Sequence, residues 1–254
     1  HFRIGTAGAT GLVLHTVHLP LALQDASSTV TIEGGTHNDH SPCFHFLATT
    51  WRDYMGRVGL PLTLTMDRPG FYPRGGGKIV ARIPGRGRPR GLALIERASI
   101  TRASVLSAAA SLPEHITLRQ AEQARTWLET AGLSVDVHEE AWPSGPGTML
   151  AITFPEPPVP TLFFALGARG KRAEAVADEA AEQALDYFRA EYPVDPHSAD
   201  QLVLPLAFAE GPSEYRVTRV TQHLLTNIAV VKRFVERDMT CDAAEGEPGT
   251  VRVR

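Results

Sequence analysis

The sequence predicts an α+β fold in which a smaller α+β module interrupts a larger core. Strand and helix patterns alternate along the 254 residues, and two short proline-containing segments break the alternation. These segments, 84–91 (PGRGRPRG) and 192–198 (YPVDPHS), have the composition of linkers. We therefore predict a core made of residues 1–95 and 193–254, with an inserted domain over residues 96–192.

The first part of the predicted core alternates between helices and strands. The apolar run at 12–23 indicates a helix or another buried segment, and the alternation at 28–35 indicates a strand. An apolar stripe at helical spacing predicts a helix over 44–58. Strands are predicted at 60–67 and 78–84, on either side of a glycine-rich turn. This order is typical of βαβ units that end in paired strands.

The predicted insert has a pattern of its own. Two amphipathic helices are predicted, at 117–131 and 172–190, and the second has an alanine-rich face. Strands are predicted near 133–138, 148–154 and 161–166. After the second linker the chain returns to a helix, a strand and a helix, and it ends in a short strand. We expect the insert to have an apolar core built on its two helices.

The composition argues against several classes of protein. The formal net charge of −3 is close to neutral, which does not favour a protein that binds polyanions over its whole surface. Cys43 and Cys241 are the only cysteines and have no CxxC spacing, which fits free thiols in a reducing compartment better than a disulfide scaffold. No apolar run has the length of a membrane span, and the first residues do not resemble a signal peptide. We expect a cytoplasmic protein without membrane contact.

Three motifs are interpreted as structural features. The segments 5–11 (GTAGATG) and 71–78 (FYPRGGGK) depart from the phosphate-loop patterns, so both are interpreted as turns whose backbone N–H groups could still approach a phosphate. The histidines near Cys43 lack the spacing of a zinc site, and no metal-ligating residue is predicted. The arginines of 84–91 could contact RNA phosphates or belong to a solvated linker.

One histidine has a position that is suited to chemistry. Thr221 is a good N-cap, and the apolar residues after it recur at helical spacing as far as Phe234/Val235. His223 therefore lies in the first turn of a predicted helix, where unpaired backbone N–H groups attract anions. Earlier in the chain, Asp200 and Gln201 begin an apolar segment and should lie at its exposed end.

Ordered motifs along nearly the whole chain resemble those of the RNA 3′-terminal phosphate cyclase family. The first part contains IGTAGATGLVLHT, GGTHNDHSP and RPGFYPRGGGK. They are similar to the family's I-G-[ST]-A-G-x-x-x-L-V-L-Q-T, G-G-T-x-N-x-x-x-P and R-x-G-[FY]-Y-P-x-G-G-G. The insert contains GPGTMLAITF and GARGKRAEAVADEA, which resemble the family's inserted domain, and SADQLVLPLAFA follows it. The last motif, HLLTNIAVVKRF, is similar to H-x-x-T-N-x-x-V-[IV]-x-x-F, where the histidine is the family's nucleophile.

The resemblance implies an α+β core of repeated βαβαββ-type units with an inserted, smaller, thioredoxin-like domain. It also implies an ATP-dependent enzyme that converts an RNA 3′-phosphate end into a 2′,3′-cyclic phosphate through a covalent histidine–AMP intermediate and an RNA adenylate. His223 would be the adenylylated nucleophile, and Mg²⁺ or Mn²⁺ would bridge the triphosphate. The residues at the family's nucleotide-contacting positions are His15, Pro42, His197, Ser198, Ala199, Asp200 and Gln201.

Three departures from the family bear on activity. His197 stands where the family often has a tyrosine that stacks on adenine, and His15 stands where it has a glutamine. The family's first repeat, which contacts metal, phosphates and RNA, has no counterpart in this sequence, and we expect that an N-terminal portion is missing. Alternatives therefore stay open: a non-catalytic RNA-processing or RNA-binding protein of the same fold, an inactive fragment, or a small-molecule transferase built on related repeats. The retained His223 argues against the non-catalytic alternative.

Overall fold

Three four-stranded sheets organise the computed structural model, which describes all 254 residues. The strands are β1 (Phe2–Arg3), β2 (Ser28–Gly34), β3 (Thr63–Arg68), β4 (Gly77–Ile83), β5 (Ala93–Leu94), β6 (Arg102–Ala110), β7 (Ser134–Trp142), β8 (Gly147–Phe154), β9 (Thr161–Leu166), β10 (Ser213–Val217), β11 (Met239–Cys241) and β12 (Gly249–Val253). The helices are α1 (Thr10–Leu23), α2 (Phe44–Phe46), α3 (Arg52–Arg57), α4 (His115–Thr130), α5 (Ala173–Arg189), α6 (Pro196–Gln201), α7 (Val203–Ala207) and α8 (Gln222–Val231). A π-helical turn, Leu47–Trp51, joins α2 to α3. No helix combines the length and the apolar composition that are needed to cross a bilayer.

Two of the sheets have the same topology, and each is built by one βαβαββ unit. The first unit runs β1-α1-β2-α2/α3-β3-β4, and its sheet has the order β1-β2-β4-β3. The second unit runs β5-α6/α7-β10-α8-β11-β12, and its sheet has the equivalent order β5-β10-β12-β11. In both sheets the first strand is parallel to the second, and the other pairs are antiparallel. The predicted repeated units are therefore present, and the inserted segment lies between β5 and α6.

Alternating side chains explain the strands of the first unit. In the antiparallel pair β2–β4, Val30 lies opposite Ala81 and Ile32 lies opposite Ile79. All four side chains are buried, whereas the residues between them are more exposed. This period of two is the pattern from which both strands were predicted. The pairing places one face of the sheet on the apolar core beneath α1.

The third sheet belongs to the inserted segment and has the order β7-β6-β8-β9. Strand β6 is parallel to β7 and antiparallel to β8, and β9 is antiparallel to β8. The central strand β6 escapes prediction because its sequence, RASVLSAAA, is rich in alanine, which has a low strand propensity. The thioredoxin-like character of the insert and its boundaries at 96 and 192 stay predictions.

Strand β8 of the third sheet is buried on both faces. Met149 and Ala151 of β8 belong to the large core that includes both βαβαββ units. Leu150 and Ile152 of the same strand belong to a second core, which contains the apolar faces of α4 and α5. Successive residues of a strand point to opposite faces, so β8 divides its side chains between the two cores. The insert therefore has an apolar core of its own, and the other face of its sheet attaches it to the rest of the protein.

Aromatic rings join the insert to the first unit. Gly147 lies so close to Phe71 that a Cβ atom added to the glycine would be 2.1 Å from Phe71 Cγ. Phe71 stacks on His37 with ring centroids 5.0 Å apart, and Trp142 of β7 stacks on His45 with centroids 5.5 Å apart. A hydrogen bond links His37 Nε2 and His45 Nδ1, which are 3.1 Å apart. This ring cluster fixes the position of the insert on the first unit.

We expect Gly147→Ala to lower the free energy of unfolding by about 1–3 kcal/mol, because the new methyl group would overlap a ring that is held by its neighbours. Urea unfolding would measure the change. The same substitution should cost less in a Phe71→Ala background, which leaves room for the methyl group.

Gly56→Ala is the matched control for this substitution. Gly56 lies in α3, and no heavy atom is within 4 Å of the Cβ position that alanine would add. Alanine should therefore be neutral or stabilising by about 0.5–1 kcal/mol at this helical position. Equal unfolding curves for Gly147→Ala and the wild type would contradict the described contact with Phe71.

Candidate active site

A cleft of about 570 Å³ opens where the two units and the insert meet. The first unit contributes α1 and the loop 38–42, and the second contributes α6 and the segment 219–223. Helices α1 and α6 each follow the first strand of a unit, and the two loop segments each follow the second strand. Equivalent parts of the repeated unit therefore line the cleft, and β9 of the insert completes it.

The N-terminus of α8 opens into this cleft, as its capping pattern predicts. Thr221 is the N-cap, and its Oγ1 accepts a hydrogen bond from Leu224 N at 3.1 Å. His223 lies in the first turn, is exposed and lines the cleft. The predicted apolar stripe ends at Phe234/Val235. The helix itself ends at Val231, and the Phe234 side chain is 84% exposed. Val235 is partly buried and packs against the core, so it continues the predicted stripe beyond the helix.

Asn227 ties the helix of His223 to α6. Its Nδ2 donates to the backbone oxygen of Asp200 at 3.2 Å and to Asp200 Oδ2 at 3.3 Å. Burial raises the pKa of Asp200, and the nearby imidazole of His223 acts in the opposite direction. One amide side chain therefore holds the Asp200 carboxyl group beside His223.

An aspartate cap orients the start of α6. Asp195 Oδ1 accepts hydrogen bonds from His197 N and Ser198 N, both at 2.9 Å, and the Asp195 side chain is fully buried. Pro196 occupies the first helical position, where its missing N–H is not needed. The cap leaves the His197 side chain exposed at the rim of the cleft.

Most of the predicted site residues converge on the cleft, although they are spread along the sequence. The structure brings together His15, Pro42, His197, Asp200, Gln201 and His223. Ser198 and Ala199 do not line the cleft, because the helical period turns them towards the core, where both are buried. The backbone oxygen of Ala199 instead accepts a hydrogen bond from Tyr215 OH at 2.8 Å. Their predicted contact with a nucleotide is not supported by their positions.

Polar atoms on different walls of the cleft have no hydrogen-bond partner. Two are His15 Nε2 on α1 and Gln201 Oε1 on α6, and both atoms are buried; a third such atom, Asn38 Oδ1, belongs to the loop 38–42. The His15 ring lies 4.7 Å from the Trp51 ring, and burial, followed by the neighbouring His18, lowers its pKa to about 4. His15 is therefore neutral at pH 7. A buried polar atom without a partner costs free energy, which a ligand with complementary groups would recover.

The cleft also contains charged residues that the sequence analysis does not single out. Arg219 is exposed, forms no ion pair and is the only arginine or lysine along the cleft. Asp39 and Glu179 line it as well. No spacing or periodicity in the sequence marks these three residues, because each comes from a different part of the chain. No group of three or more His, Cys, Asp or Glu residues in the chain is arranged to hold a metal ion.

The arrangement is suited to a reaction on an anionic ligand. His223 offers a ring nitrogen at a helix N-terminus, where backbone N–H groups and the helix dipole stabilise negative charge. The guanidinium of Arg219 adds a positive charge on the same wall. The residues His15, Pro42, His197 and Gln201 provide a mixture of aromatic, apolar and polar surface of the kind that small-molecule sites use.

Several known proteins are similar to this chain in sequence. A family model described as RNA 3′-terminal phosphate cyclase matches residues 1–241. The chain is 38% identical over 244 residues to the RNA 3′-terminal phosphate cyclase of Salmonella typhimurium, covering 96% of this chain and 71% of that protein. It is 38% identical over 244 residues to the protein of that name from Trichormus variabilis, covering 95% of this chain and 70% of the relative. The corresponding protein of Gloeothece citriformis is 35% identical over 231 residues, with 91% and 66% covered.

The buried histidine next to the cleft should make stability depend on pH. His18 is 2% exposed, and burial lowers its pKa from 6.5 to about 4. Between these values the unfolded chain binds a proton that the folded protein does not, so the free energy of unfolding should fall as the pH falls from 6.5 towards 4. The contribution is at most about 1.4 kcal/mol per pH unit.

Urea unfolding of His18→Phe across this pH range would measure the contribution. The variant should show a shallower loss of stability with acid than the wild type, even if its stability at pH 7 is lower. His115→Gln, at an exposed position on α4, is the control and should keep the wild-type slope. Identical slopes for wild type and His18→Phe would show that burial of this imidazole is not linked to folding.

Proposed function

Because the chain belongs to the RNA 3′-terminal phosphate cyclase family, we propose that it uses ATP to convert an RNA 3′-terminal phosphate into a 2′,3′-cyclic phosphate. The observation that supports this most is the meeting of His223 with His15, Pro42 and Gln201 in one cleft. The sequence separation of these residues is large, so their convergence depends on the whole fold. The cleft is large enough for a nucleotide, at about 570 Å³.

In the proposed first step, a ring nitrogen of His223 attacks the α-phosphorus of ATP. The bond to the β-phosphate oxygen breaks, pyrophosphate leaves, and AMP is joined to the histidine. The N–H groups of the first turn of α8 and the guanidinium of Arg219 would stabilise the charge on the phosphoryl oxygens. The hydrogen bonds from Asn227 to Asp200 would hold the carboxyl group that lies beside the imidazole.

In the following steps, AMP passes from His223 to an oxygen of the RNA 3′-phosphate. The P–N bond breaks, and the RNA end becomes an activated phosphoanhydride. The neighbouring 2′-hydroxyl then attacks this phosphate and loses its proton, AMP leaves, and the ring closes. Covalent catalysis replaces one difficult displacement by three easier ones.

The surfaces of the cleft are consistent with a bound nucleotide. His197 and Pro42 offer flat faces for the base, and the unpaired Gln201 Oε1 can accept a hydrogen bond from an amino group. His15 Nε2 can pair with another base or ribose atom. Mg²⁺ or Mn²⁺ would be bound mainly by the triphosphate, since the chain has no prearranged cluster of metal ligands.

A non-catalytic RNA-binding protein of the same fold is the second candidate. The observation that favours it is the small number of cationic groups in the cleft, where Arg219 is the only arginine or lysine. Incubation with α-labelled ATP separates the two candidates, because only the enzyme would retain acid-labile AMP on the protein. Labelling of the wild-type protein would support the proposed reaction.

We expect His223→Ala to lower the rate of AMP labelling by a factor of roughly 10³ or more, since a nucleophile is removed. The neighbouring Thr226 and Asn227 offer a hydroxyl without a base and a neutral amide, neither of which can replace the imidazole. His223→Asn should fail equally while keeping the wild-type unfolding curve, because the position is exposed. RNA that already carries a 3′-adenylylated phosphate should still be cyclised in part by both variants.

Gln222→Ala is the control for a change in the same helical turn. Gln222 is exposed and does not line the cleft, so labelling should stay close to the wild-type rate. An adduct formed by His223→Ala at near wild-type rate would mean that another residue is the nucleophile.

A further inference from the structure

We infer that a groove lined by Arg57 and Arg90, next to the cleft, binds the phosphodiester backbone of the RNA strand upstream of its 3′ end. The groove has a volume of about 560 Å³. One side is formed by α3 of the first unit and the residues before β3, and the other by the turn between β8 and β9 of the insert. The inference rests on the proposed function, since it concerns the rest of the same RNA substrate.

The groove carries two positive charges without counter-ions. Its two carboxylates are already paired, Asp53 with Arg52 at 2.8 Å and Glu156 with Arg102. Arg57 and Arg90 are both exposed, and neither forms an ion pair. In a chain of net charge −3, two free guanidinium groups in one groove are a local positive region. A groove of this kind concentrates the field and attracts a polyanion.

A backbone hydrogen bond holds the two arginines together. Arg90 Nε donates to the backbone oxygen of Arg57 at 2.9 Å, and Arg90 N donates to Val58 O at 2.9 Å. The first of these bonds uses one donor of the Arg90 guanidinium and leaves its terminal NH₂ groups free. The bond therefore anchors the Arg90 guanidinium beside the backbone of Arg57, and both guanidinium groups can donate to phosphate oxygens.

The opposite wall is made of proline. Pro155, Pro157, Pro158 and Pro160 line the groove along the turn between β8 and β9. Proline has no backbone N–H, so this wall has few donors that would compete with the arginines, and its rings are compact and apolar. Such a surface suits the ribose and base side of a nucleic acid strand, whereas the arginines suit the phosphate side. An acidic peptide would use the arginines but would gain less from the apolar wall.

Nearby residues of one segment line the groove and the cleft. Pro160 lines the groove, and Leu162, two residues further along the chain, lines the cleft. At the rise of an extended strand, this separation is about 7 Å, which is comparable with one nucleotide step. Leu162 N donates to Thr50 Oγ1 at 2.9 Å, a bond that fixes β9 against the helical segment leading to Arg57. A strand whose 3′-phosphate lies in the cleft can therefore continue directly into the groove.

Binding of a 3′-phosphorylated dodecanucleotide, measured by fluorescence anisotropy over a series of salt concentrations, tests the inference on the full chain. For single strands, the slope of log K against log salt changes by about 0.7 for each phosphate contact. The double variant Arg57→Gln/Arg90→Gln should therefore lose about 1.4 from the magnitude of the slope. Binding of a nucleoside 3′-phosphate, which has no upstream phosphodiester to place in the groove, should change little. AMP labelling of His223 should stay at the wild-type rate, because ATP alone is needed for that step.

Two control variants make the result specific. Arg57→Lys/Arg90→Lys keeps both charges and should retain most of the slope, which would exclude a folding defect as the cause. Arg233→Gln removes an exposed, unpaired arginine after the end of α8, outside both the groove and the cleft, and should leave the slope unchanged. Polyglutamate is the competitor that represents an acidic peptide.

The outcomes separate this inference from the proposed function. If the wild type is labelled by ATP but the Gln double variant binds the dodecanucleotide with the wild-type slope, the groove does not bind RNA and the proposed function stands. Binding of polyglutamate that is lost in the Gln double variant, together with an unchanged RNA slope in that variant, would overturn the inference in favour of an acidic peptide. If the wild type neither becomes labelled nor binds RNA, both proposals are wrong.

Discussion

The side chains of β8 pack into two different apolar cores, because alternate residues of one strand point in opposite directions. Met149 and Ala151 pack into the core of the two βαβαββ units, and Leu150 and Ile152 pack under the helices of the insert. A shift of the strand by one residue would exchange the two sets, so the register of this sheet is strongly determined. Strand β9 pairs with β8, so the position of β9 is set by the register of β8. Strand β9 in turn forms part of the cleft. The shape of the cleft therefore depends on how the insert is packed.

The cleft combines side chains from the first unit, the second unit and the insert, and no one of these three parts contains all of them. Its histidines come from α1, the loop 38–42, α6 and α8, and its walls come from both units and the insert. The Asn227–Asp200 hydrogen bonds fix the relative positions of α6 and α8, whereas His15 is held by its ring packing on Trp51. Two kinds of restraint thus act on two walls: directional polar bonds on one, and close-packed rings on the other. Both restrict side-chain movement before any ligand binds, which is the preorganisation that a reaction site requires.

Local signals in the sequence predicted most elements, because hydrophobic period and capping residues are local properties. The helix predicted at 44–58 and the cap at Thr221 are found in the structure. Strand β6 escaped prediction because its alanine-rich sequence has a weak propensity, and it forms through pairing with neighbours on both sides. Arg219 carries no local signal either, since only the packing of distant elements brings it to the cleft. The resemblance to a family supplied the site residues, but the inward orientation of Ser198 could be recognised only from the packing of α6.

The first unit has a histidine, His45, at the position that corresponds to His223 in the second unit. His45 is the second residue of α2, after the N-cap Cys43, just as His223 is the second residue of α8, after the N-cap Thr221. His45 is stacked on Trp142 of the insert, and its pKa is lowered to about 4, chiefly by burial. Topologically equivalent turns thus carry imidazoles in different surroundings: Trp142 of the insert covers His45, whereas His223 faces an open cleft. The insert therefore makes the two equivalent positions chemically different.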